Sequence, residues 1–303
     1  MLNRYQHAGI TWVDLENPTT AEIHAVMEEF DLSHFVAEEL LLPTMKPRVE
    51  FHGKYLYTIL HFPALRHTHK TAEQEVDFVV GNDFLITTHY DTIDPLHKFA
   101  KVFEVDSVLD KGVMSDHAGY LFFYMLRRLY KAVEHELDSV RTDILHIEEH
   151  IFSGHEVAMV KAISRCARDV LNLRQTIEPH RDILKTLQQE GIRFFGEQFI
   201  PFLRSLENDY YRLHNHIMRH TDTLHEVRET NNSLLSTKEG ETMRVLTTMA
   251  LITFPLVLLL DLFTVDSVHN PIVGRPYDFW ILFGIVITVG SVMLWYFRYK
   301  KWL

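Results

Sequence analysis

Two apolar segments near the C-terminus constrain the fold more than any other feature of the chain. Residues 245–263 and residues 279–297 each contain 19 positions, almost all apolar. About 20 such residues cross the hydrocarbon core of a bilayer as an α-helix. The second segment has no charge, and aromatic side chains that anchor at membrane interfaces lie near its ends. Two buried helices of a soluble core are the alternative, but the short polar loop between the segments favours two transmembrane helices.

The distribution of charge predicts how these segments are oriented. Only 4 of the 41 acidic residues and 5 of the 30 basic residues lie after position 240, so residues 1–240 carry a net charge of −12. This acidity disfavours nucleic-acid partners and favours cations. Basic residues flank the two segments on their outer sides, so the positive-inside rule predicts that both termini are cytoplasmic. The N-terminal residues lack the pattern of a signal peptide, and we expect a bacterial inner membrane protein.

The first 240 residues read as an α+β domain followed by long helices. β-Branched and aromatic residues predict strands in ITWVDL, KYLYTILHF, EVDFVV and DFLITTHY, and Gly81, Asn82 and Asp83 predict a hairpin turn. From position 116 onward the spacing of apolar residues is helical, and Pro179 predicts a kink or a break. A further helix is predicted from about Phe202 to Phe263, which would enter the membrane without interruption. A helix of that length needs neighbours, which indicates oligomerisation.

This organisation resembles the CorA family of divalent-cation channels over nearly the whole chain. The strings KPRVEFHGKYLYTILHF, NDFLITTHY, GETMRVLT, FPL and YFRYKKWL stand in the order and spacing of similar strings in that family. The resemblance implies a CorA-like funnel built as a homopentamer, with the first membrane segment of each subunit lining a central pore. It divides the chain into an α/β cytoplasmic domain, a helical hairpin region, a cytoplasmic stalk, a first transmembrane helix, an extracytoplasmic loop, a second transmembrane helix and a basic tail, at residues 1–115, 116–201, 202–244, 245–265, 266–278, 279–297 and 298–303.

One departure from the family pattern concerns the outer end of the first membrane segment. The family carries Gly-Met-Asn there, which holds a hydrated cation at the pore mouth, and this tripeptide does not occur in the chain. Thr264, Val265 and Asp266 occupy the corresponding place. Selectivity for magnesium is therefore in question, and relatives with a varied signature include zinc transporters. Asp266 is equally consistent with an outer acidic ring and with an ordinary loop residue.

A single acidic residue, Asp261, lies inside the first membrane segment. At about 100° per residue it shares a stripe roughly 80° wide with positions that the resemblance makes pore-lining. The stripe comprises Gly240, Met243, Thr247, Ala250, Phe254, Leu258, Asp261 and Val265. In a pentamer the five carboxylates would form an acidic ring, which is a common means of selecting cations. The alternative is a neutral Asp261 hydrogen-bonded between helices.

The resemblance also suggests a gate and cytoplasmic metal sites. Met243 and Leu246 match the family's hydrophobic constriction, although a Met and a Leu at helical spacing are usually packing residues. Near the place expected for regulatory acids the stalk carries Ser205, Glu207 and Asp209. The candidate cytoplasmic metal ligands are therefore Glu207, Asp209, His216 and His220. No resident cofactor is expected, and the bound cations would be Mg²⁺ or Zn²⁺ in transport or regulation.

A rival motif is HIEEH, in which His146, Glu149 and His150 match a zinc-protease signature. Two histidines at i and i+4 share one helix face, as zinc ligands must. The flanking residues, however, place them on the polar face of an amphipathic helix, and 20 histidines make a chance match unsurprising. No nucleotide-binding signature is present, which disfavours an ATP-driven pump.

The sequence thus predicts a membrane channel or transporter for divalent cations, with membrane lipid and other copies of the chain as its partners and no enzymatic activity. Magnesium and zinc are the first candidates, and cobalt or nickel are further ones, because a histidine-rich cytoplasmic domain suits zinc handling. The alternative function is a non-conducting, membrane-anchored metal sensor or scaffold.

Overall fold

A computed structural model describes residues 1–7, 9–44, 46–63, 73–104, 117–264, 272 and 276–300. The chain divides into two compact units, Met1–Arg228 and Glu229–Leu303. The first unit contains a six-stranded sheet with helices on both faces. The second contains the C-terminal part of a long helix and one further helix.

The sheet consists of β1 (Leu2–His7), β2 (Ile10–Glu16), β3 (Arg48–Phe51), β4 (Leu56–Pro63), β5 (Glu73–Val80) and β6 (Phe84–His89). Their spatial order is β1-β2-β6-β5-β4-β3. Only β2 and β6 pair in parallel, with Trp12 opposite Leu85, and every other neighbouring pair is antiparallel. The β5–β6 turn closes where Gly81 N–H donates to the Phe84 carbonyl at 2.8 Å, which confirms the predicted hairpin.

One face of the sheet is covered by α1 (Thr20–Phe30) and α2 (His34–Glu39). Helix α1 begins with a capping box, in which Thr19 and Glu22 satisfy each other's backbone N–H groups. Its apolar residues Ile23 and Val26 pack onto the inward side chains of four strands, among them Val13 and Ile59. The alternation of side chains along these strands thus builds one half of the core.

The opposite face carries α3 (Asp94–Glu104), α4 (Ala118–Phe152), α5 (Glu156–Ile177) and α6 (His180–Phe195). Aromatic contacts join the two layers: the rings of Phe78 and Phe122 lie 5.1 Å apart and those of Phe62 and Tyr130 6.0 Å apart. Every residue of β4 is buried because helices cover both faces of the sheet. A continuous apolar strand such as this one is typical of a central position in a layered fold.

Helix α6 leads through a 3₁₀ turn at Glu197–Phe199 into α7 (Ile200–Thr264), and α8 (Asp278–Tyr299) completes the described elements. Helix α5 ends at Ile177 and α6 begins at His180, so the break predicted at Pro179 is confirmed. The predicted long helix is confirmed as α7, which begins two residues before Phe202 and ends one residue after Phe263. Strands β1 and β3 and helices α2 and α3 were not predicted.

A buried histidine connects the sheet to the helical layer. The His180 ring donates from Nε2 to the His61 carbonyl at 2.7 Å and accepts at Nδ1 from the Tyr130 hydroxyl at 3.0 Å. Both nitrogens are thus satisfied in the neutral form, with the proton on Nε2. Burial lowers the pKa of His180 from 6.5 to about 4.

The low pKa of His180 predicts an acid-dependent loss of stability. Between pH 6.5 and about 4 the unfolded state binds a proton that the folded state does not. Stability therefore falls as the pH is lowered through this window, by up to about 1.4 kcal/mol per pH unit from this group alone, and is unaffected by it above pH 6.5. In thermal unfolding at pH 7 and pH 5, we expect a smaller acid-induced decrease in His180→Gln than in the native chain. Equal decreases in the two proteins would contradict the low pKa assigned to His180.

Gly119 marks a second close contact, because a Cβ at this position would lie 2.8 Å from Phe199 Cζ and 2.9 Å from Phe195 Cδ1. We expect Gly119→Ala to lower the stability of the first unit by about 1–3 kcal/mol through overpacking. Reaction of a thiol-specific dye with buried Cys166, the only cysteine, reports unfolding of this unit during heating.

The matched control for Gly119→Ala is Gly240→Ala, also within a helix, where a Cβ would meet no atom within 4 Å. Because Gly240 lies in the second unit, the midpoint that Cys166 reports for the first unit should not fall, and alanine itself favours a helix over glycine by roughly 0.5–1 kcal/mol. Similar decreases in both variants would indicate that the effect does not come from the contact with the phenylalanine rings.

Candidate functional site

Within the part of the chain that the structure describes, two helices are long and apolar enough to cross a membrane: the C-terminal part of α7 and α8. Within the second unit they pack against each other, and a Cβ at Gly290 of α8 would lie 3.6 Å from Leu256 Cδ1 of α7. Ile252, Leu256 and Leu259 are accordingly half-buried. This row defines the face of α7 that is directed towards α8.

The stripe that contains Asp261 lies on the other side of α7. At about 100° per residue, Ile252 and Leu256 are roughly 140–180° away from Asp261 around the helix. Every described member of the stripe is exposed, and Phe254 retains 70% of its accessible surface. In a single chain the Asp261 carboxylate therefore faces away from α8. Facing lipid there, it would cost about 2.5 kcal/mol or more.

Three hydroxyl groups in this part of α7 do not share the problem of the carboxylate. Thr248, Thr253 and Thr264 donate from Oγ1 to backbone carbonyls of Arg244, Met249 and Asp261, at 2.8, 2.9 and 2.8 Å. Each hydroxyl is thereby satisfied within its own helix. An ionised carboxylate only accepts hydrogen bonds, and the amides of a helix interior are already used by the helix. An ionised Asp261 consequently requires water, a cation or a donor from another chain.

Pro255 adds a second polar group to the same segment. It lies inside α7 and has no amide proton, so the Leu251 carbonyl lacks the donor that a helix normally supplies four residues later. The predicted outer end of the pathway continues beyond Thr264, where α7 ends. Val265 and Asp266 lie outside the described residues.

The predicted gate residues are also exposed on α7. Met243 retains 66% and Leu246 57% of its accessible surface, so neither side chain is used for packing within the chain to any large extent. Met243 belongs to the stripe, whereas Leu246 lies beside it. Their role as a gate stays a prediction.

Asp209, one of the predicted metal ligands, is committed to ion pairs within the chain. Its carboxylate lies 3.2 Å from Arg127 Nε of α4 and 3.1 Å from Arg212 of its own helix, and Arg212 also contacts Glu134 of α4 at 3.3 Å. Only 8% of the Asp209 side chain is exposed. The arrangement joins α4 to α7, and it leaves this carboxylate few free lone pairs for a metal ion. Glu207 is half-buried and takes no part in these ion pairs.

The histidines predicted as ligands do not form a metal centre with these acids. Burial and the positive surroundings, first His216 and then Arg141, lower the pKa of His220. Across the described part of the chain, no three His, Cys, Asp or Glu side chains converge to hold a metal ion.

The HIEEH motif lies near the C-terminal end of α4. The rings of His146 and His150 stack with their centroids 4.0 Å apart, and His150 donates from Nδ1 to the His146 carbonyl at 2.8 Å. A catalytic zinc needs a third protein ligand, and the described residues supply none at this place. The geometry therefore favours a polar helix surface over a protease site.

A buried carboxyl pair that the sequence did not suggest lies between the sheet and α2. Glu75 contacts His61 Nε2 at 3.1 Å and accepts from the Thr44 N–H at 2.7 Å. Burial, then the neighbouring Glu75, raises the pKa of Asp77 well above its usual value. Burial lowers the pKa of His61, but the hydrogen bonds to Glu75 and to the Thr44 carbonyl outweigh burial, so that this pKa is raised. The neutral form of Asp77 is therefore favoured by its surroundings, and the cluster is a hydrogen-bonded structural element of the sheet.

Sequence reasoning also missed a basic groove between α5 and α7, to which Arg168 and Arg228 belong. Each helix contributes residues spaced at i, i+3, i+4 and i+7. In the sequence, this spacing indicates that the residues of each row share one face of their helix. Only the structure shows that the two rows face each other.

The chain combines an α+β domain with two helices of membrane length, and the first of these helices carries a carboxylate on its exposed face. These features define an integral membrane protein with two spans. The chain belongs to the CorA-like Mg²⁺ transporter protein family, whose model matches residues 7–301. It is thus a divalent cation transporter of the CorA family. The predicted family resemblance and the predicted fold class are confirmed.

Individual relatives are similar over nearly the full length. The chain is 22% identical over 306 residues to the cobalt/magnesium transport protein CorA of Thermotoga maritima, an alignment that covers 97% of this chain and 83% of the relative. The structure of the CorA magnesium transporter from Methanocaldococcus jannaschii superposes with a TM-score of 0.85 at 16% identity, covering 99% and 93% of the two chains. The full-length CmaX protein superposes with a TM-score of 0.74 at 16% identity, covering 97% and 89%.

The ion pairs of Asp209 predict a structural role that does not depend on metal. We expect Asp209→Asn to lower the unfolding free energy by about 1 kcal/mol in the presence of a chelator, because Arg127 and Arg212 lose a charged acceptor. Glu207→Gln is the matched control and should change stability little. If instead Mg²⁺ or Zn²⁺ raised the unfolding midpoint of the native chain but not of Asp209→Asn, Asp209 would be a metal ligand.

Proposed function

We propose that the chain forms a homopentameric channel or transporter for divalent metal cations, in which the exposed stripe of α7 lines a central pathway. The observation that carries the proposal is the position of Asp261, on the face of α7 turned away from α8. Assembly of several chains around this face would replace lipid by water and by other copies of α7. The carboxylate would then be hydrated instead of lying in hydrocarbon.

In this arrangement Asp261 is the selective residue. A ring of carboxylates around a water-filled path attracts cations and repels anions. Thr264, one turn further along α7, would face the same path, followed by Val265 and Asp266. The ring would take the place of the family's Gly-Met-Asn tripeptide.

A constriction at the opposite end of the span is assigned to Met243 and Leu246. Both side chains are large, apolar and exposed in the single chain, which leaves them available to meet their copies around the axis. Apolar constrictions of this kind close a pore by excluding water. Thr247, Ala250, Phe254 and Leu258 would line the path between this constriction and Asp261.

The choice of ion follows from the ligands that the path offers. Carboxylate oxygens suit Mg²⁺ and the other hard cations, whereas imidazole suits zinc, nickel and cobalt. The relative from Thermotoga maritima is a cobalt/magnesium transport protein, and the 20 histidines of this chain favour zinc as a further cargo. We assign both termini to the cytoplasmic side of a bacterial inner membrane, in accordance with the basic residues that flank the spans.

Flux through liposomes tests the role of Asp261. We expect Asp261→Ala to reduce divalent-cation influx by about tenfold or more, because removing the charges removes the electrostatic attraction for the ion. Influx of Mg²⁺, Zn²⁺, Co²⁺ and Ni²⁺ is followed with an ion-sensitive dye inside the vesicles. Light scattering during size-exclusion chromatography confirms that five chains assemble in each preparation.

Asp278→Asn is the matched control for this substitution. Asp278 is the first residue of α8, and its carboxylate accepts a hydrogen bond from the Phe279 N–H at 2.7 Å, outside the stripe. We expect its flux to stay within about twofold of the native chain, since the residue is not part of the ring. Undiminished flux through intact Asp261→Ala pentamers would eliminate the selective role of Asp261.

A non-conducting metal sensor or scaffold is the second candidate, and the missing Gly-Met-Asn tripeptide is the observation that favours it. This function predicts metal-dependent changes in the first unit without flux of any of the four cations. Absence of flux in pentamers shown to be intact would replace the transporter by the sensor. Flux of Zn²⁺ or Co²⁺ with weak flux of Mg²⁺ would instead indicate altered selectivity.

A further inference from the structure

A groove of about 500 Å³ lies between α5 and α7 within the first unit. Its apolar floor is formed by Val170, Leu171 and Leu224. Val170 and Leu224 are buried, whereas Leu171 keeps 48% of its surface accessible. A concave site of this size is in the range that accommodates a small organic ligand.

Three arginines surround this floor. Arg168 and Arg174 come from α5 and Arg228 from α7, and the residues described as lining the groove include no acid. Arg174 lies 3.4 Å from Glu178. Among the residues that the structure describes, neither Arg168 nor Arg228 makes an ion pair with any carboxylate.

The positive charge of the groove contrasts with the rest of its surroundings. The first 240 residues carry a net charge of −12, so three arginines without an acidic neighbour in the lining stand apart from the general charge pattern. Guanidinium groups form forked, charge-assisted hydrogen bonds with phosphate oxygens. The hydroxyl of Ser164, which also lines the groove, adds one further donor, whereas the Thr221 hydroxyl donates to the Ile217 carbonyl at 3.0 Å.

We propose that this groove binds an organic polyphosphate such as a nucleoside triphosphate, with its phosphates on Arg168, Arg174 and Arg228 and its apolar part on the floor. The groove repels cations, so it is distinct from the cation pathway. The location and the charge of the groove depend neither on transport nor on assembly into a pentamer. The inference therefore goes beyond the proposed function and stands independently of it.

The charge of the groove also predicts which form of the ligand binds. A polyphosphate free of metal carries more negative charge than its Mg²⁺ complex, and the arginines favour the more negative form. Occupancy of the groove would then increase as free divalent cations become scarce. This property would connect the site with the availability of the ion that the family transports.

The test measures binding of ATP to the purified full-length chain in detergent by isothermal titration calorimetry, in buffer with EDTA. We expect saturable binding that Arg168→Gln/Arg228→Gln weakens about tenfold or more, since each arginine contributes a charge-assisted hydrogen bond. The matched control is Arg165→Gln/Arg219→Gln, which removes one exposed arginine from each of the same two helices outside the groove. We expect the control to bind ATP like the native chain.

Two additional probes identify the part of the ligand that is recognised. Inorganic triphosphate lacks the apolar part and should bind more weakly than ATP, whereas dihexanoyl phosphatidate tests for a lipid headgroup. No binding of ATP, equal loss in both double variants, or binding of phosphatidate alone would overturn the proposal. Flux in liposomes does not enter this measurement, so failure of the transport proposal would leave its outcome interpretable.

Discussion

Hydrocarbon offers no hydrogen-bond partner, and the second unit of the chain is organised by this constraint. The backbone amides are used within α7 and α8, and the hydroxyls of Thr248, Thr253 and Thr264 donate to carbonyls of their own helix. Asp261 is the exception, because an ionised carboxylate finds no donor in a helix. When ionised, the residue thus requires water or a donor from another chain, and in the proposed pentamer this requirement connects the local chemistry of one side chain to assembly.

The first unit solves a different problem, the covering of a sheet on both faces. Strand β4 is buried along its whole length, so polar groups that reach the sheet need partners inside it. His180 obtains them from Tyr130 and the His61 carbonyl, and Glu75 obtains them from His61 and Thr44. Both networks hold helices or loops onto the sheet through hydrogen bonds between buried groups. Acidic residues elsewhere on this unit give it a net negative charge, which attracts cations.

The sequence predicted the parts of the fold whose pattern is strong within a single segment. Strands β2, β4, β5 and β6 are rich in β-branched and aromatic residues, and the long helices show clear apolar spacing. Strand β1 was missed because LNRYQH is largely polar and only half-buried at the sheet edge, and α2 because six residues carry little periodic signal. In the candidate site, the stripe of Asp261 followed from helical geometry alone. The ion pairs of Asp209 and the groove near Arg168 could not, because each depends on two helices distant in sequence.

Pro255 has a mechanical consequence. A helix resists bending because each turn is held by its hydrogen bonds, and the turn before Pro255 lacks one of them. The Leu251 carbonyl can be solvated or left free as the axis changes direction, without breaking a bond that already exists. The span thus has its most compliant point six residues before Asp261. In the proposed pentamer, a change in the direction of the axis there would alter the spacing between carboxylates of neighbouring chains while the helix on either side stays rigid.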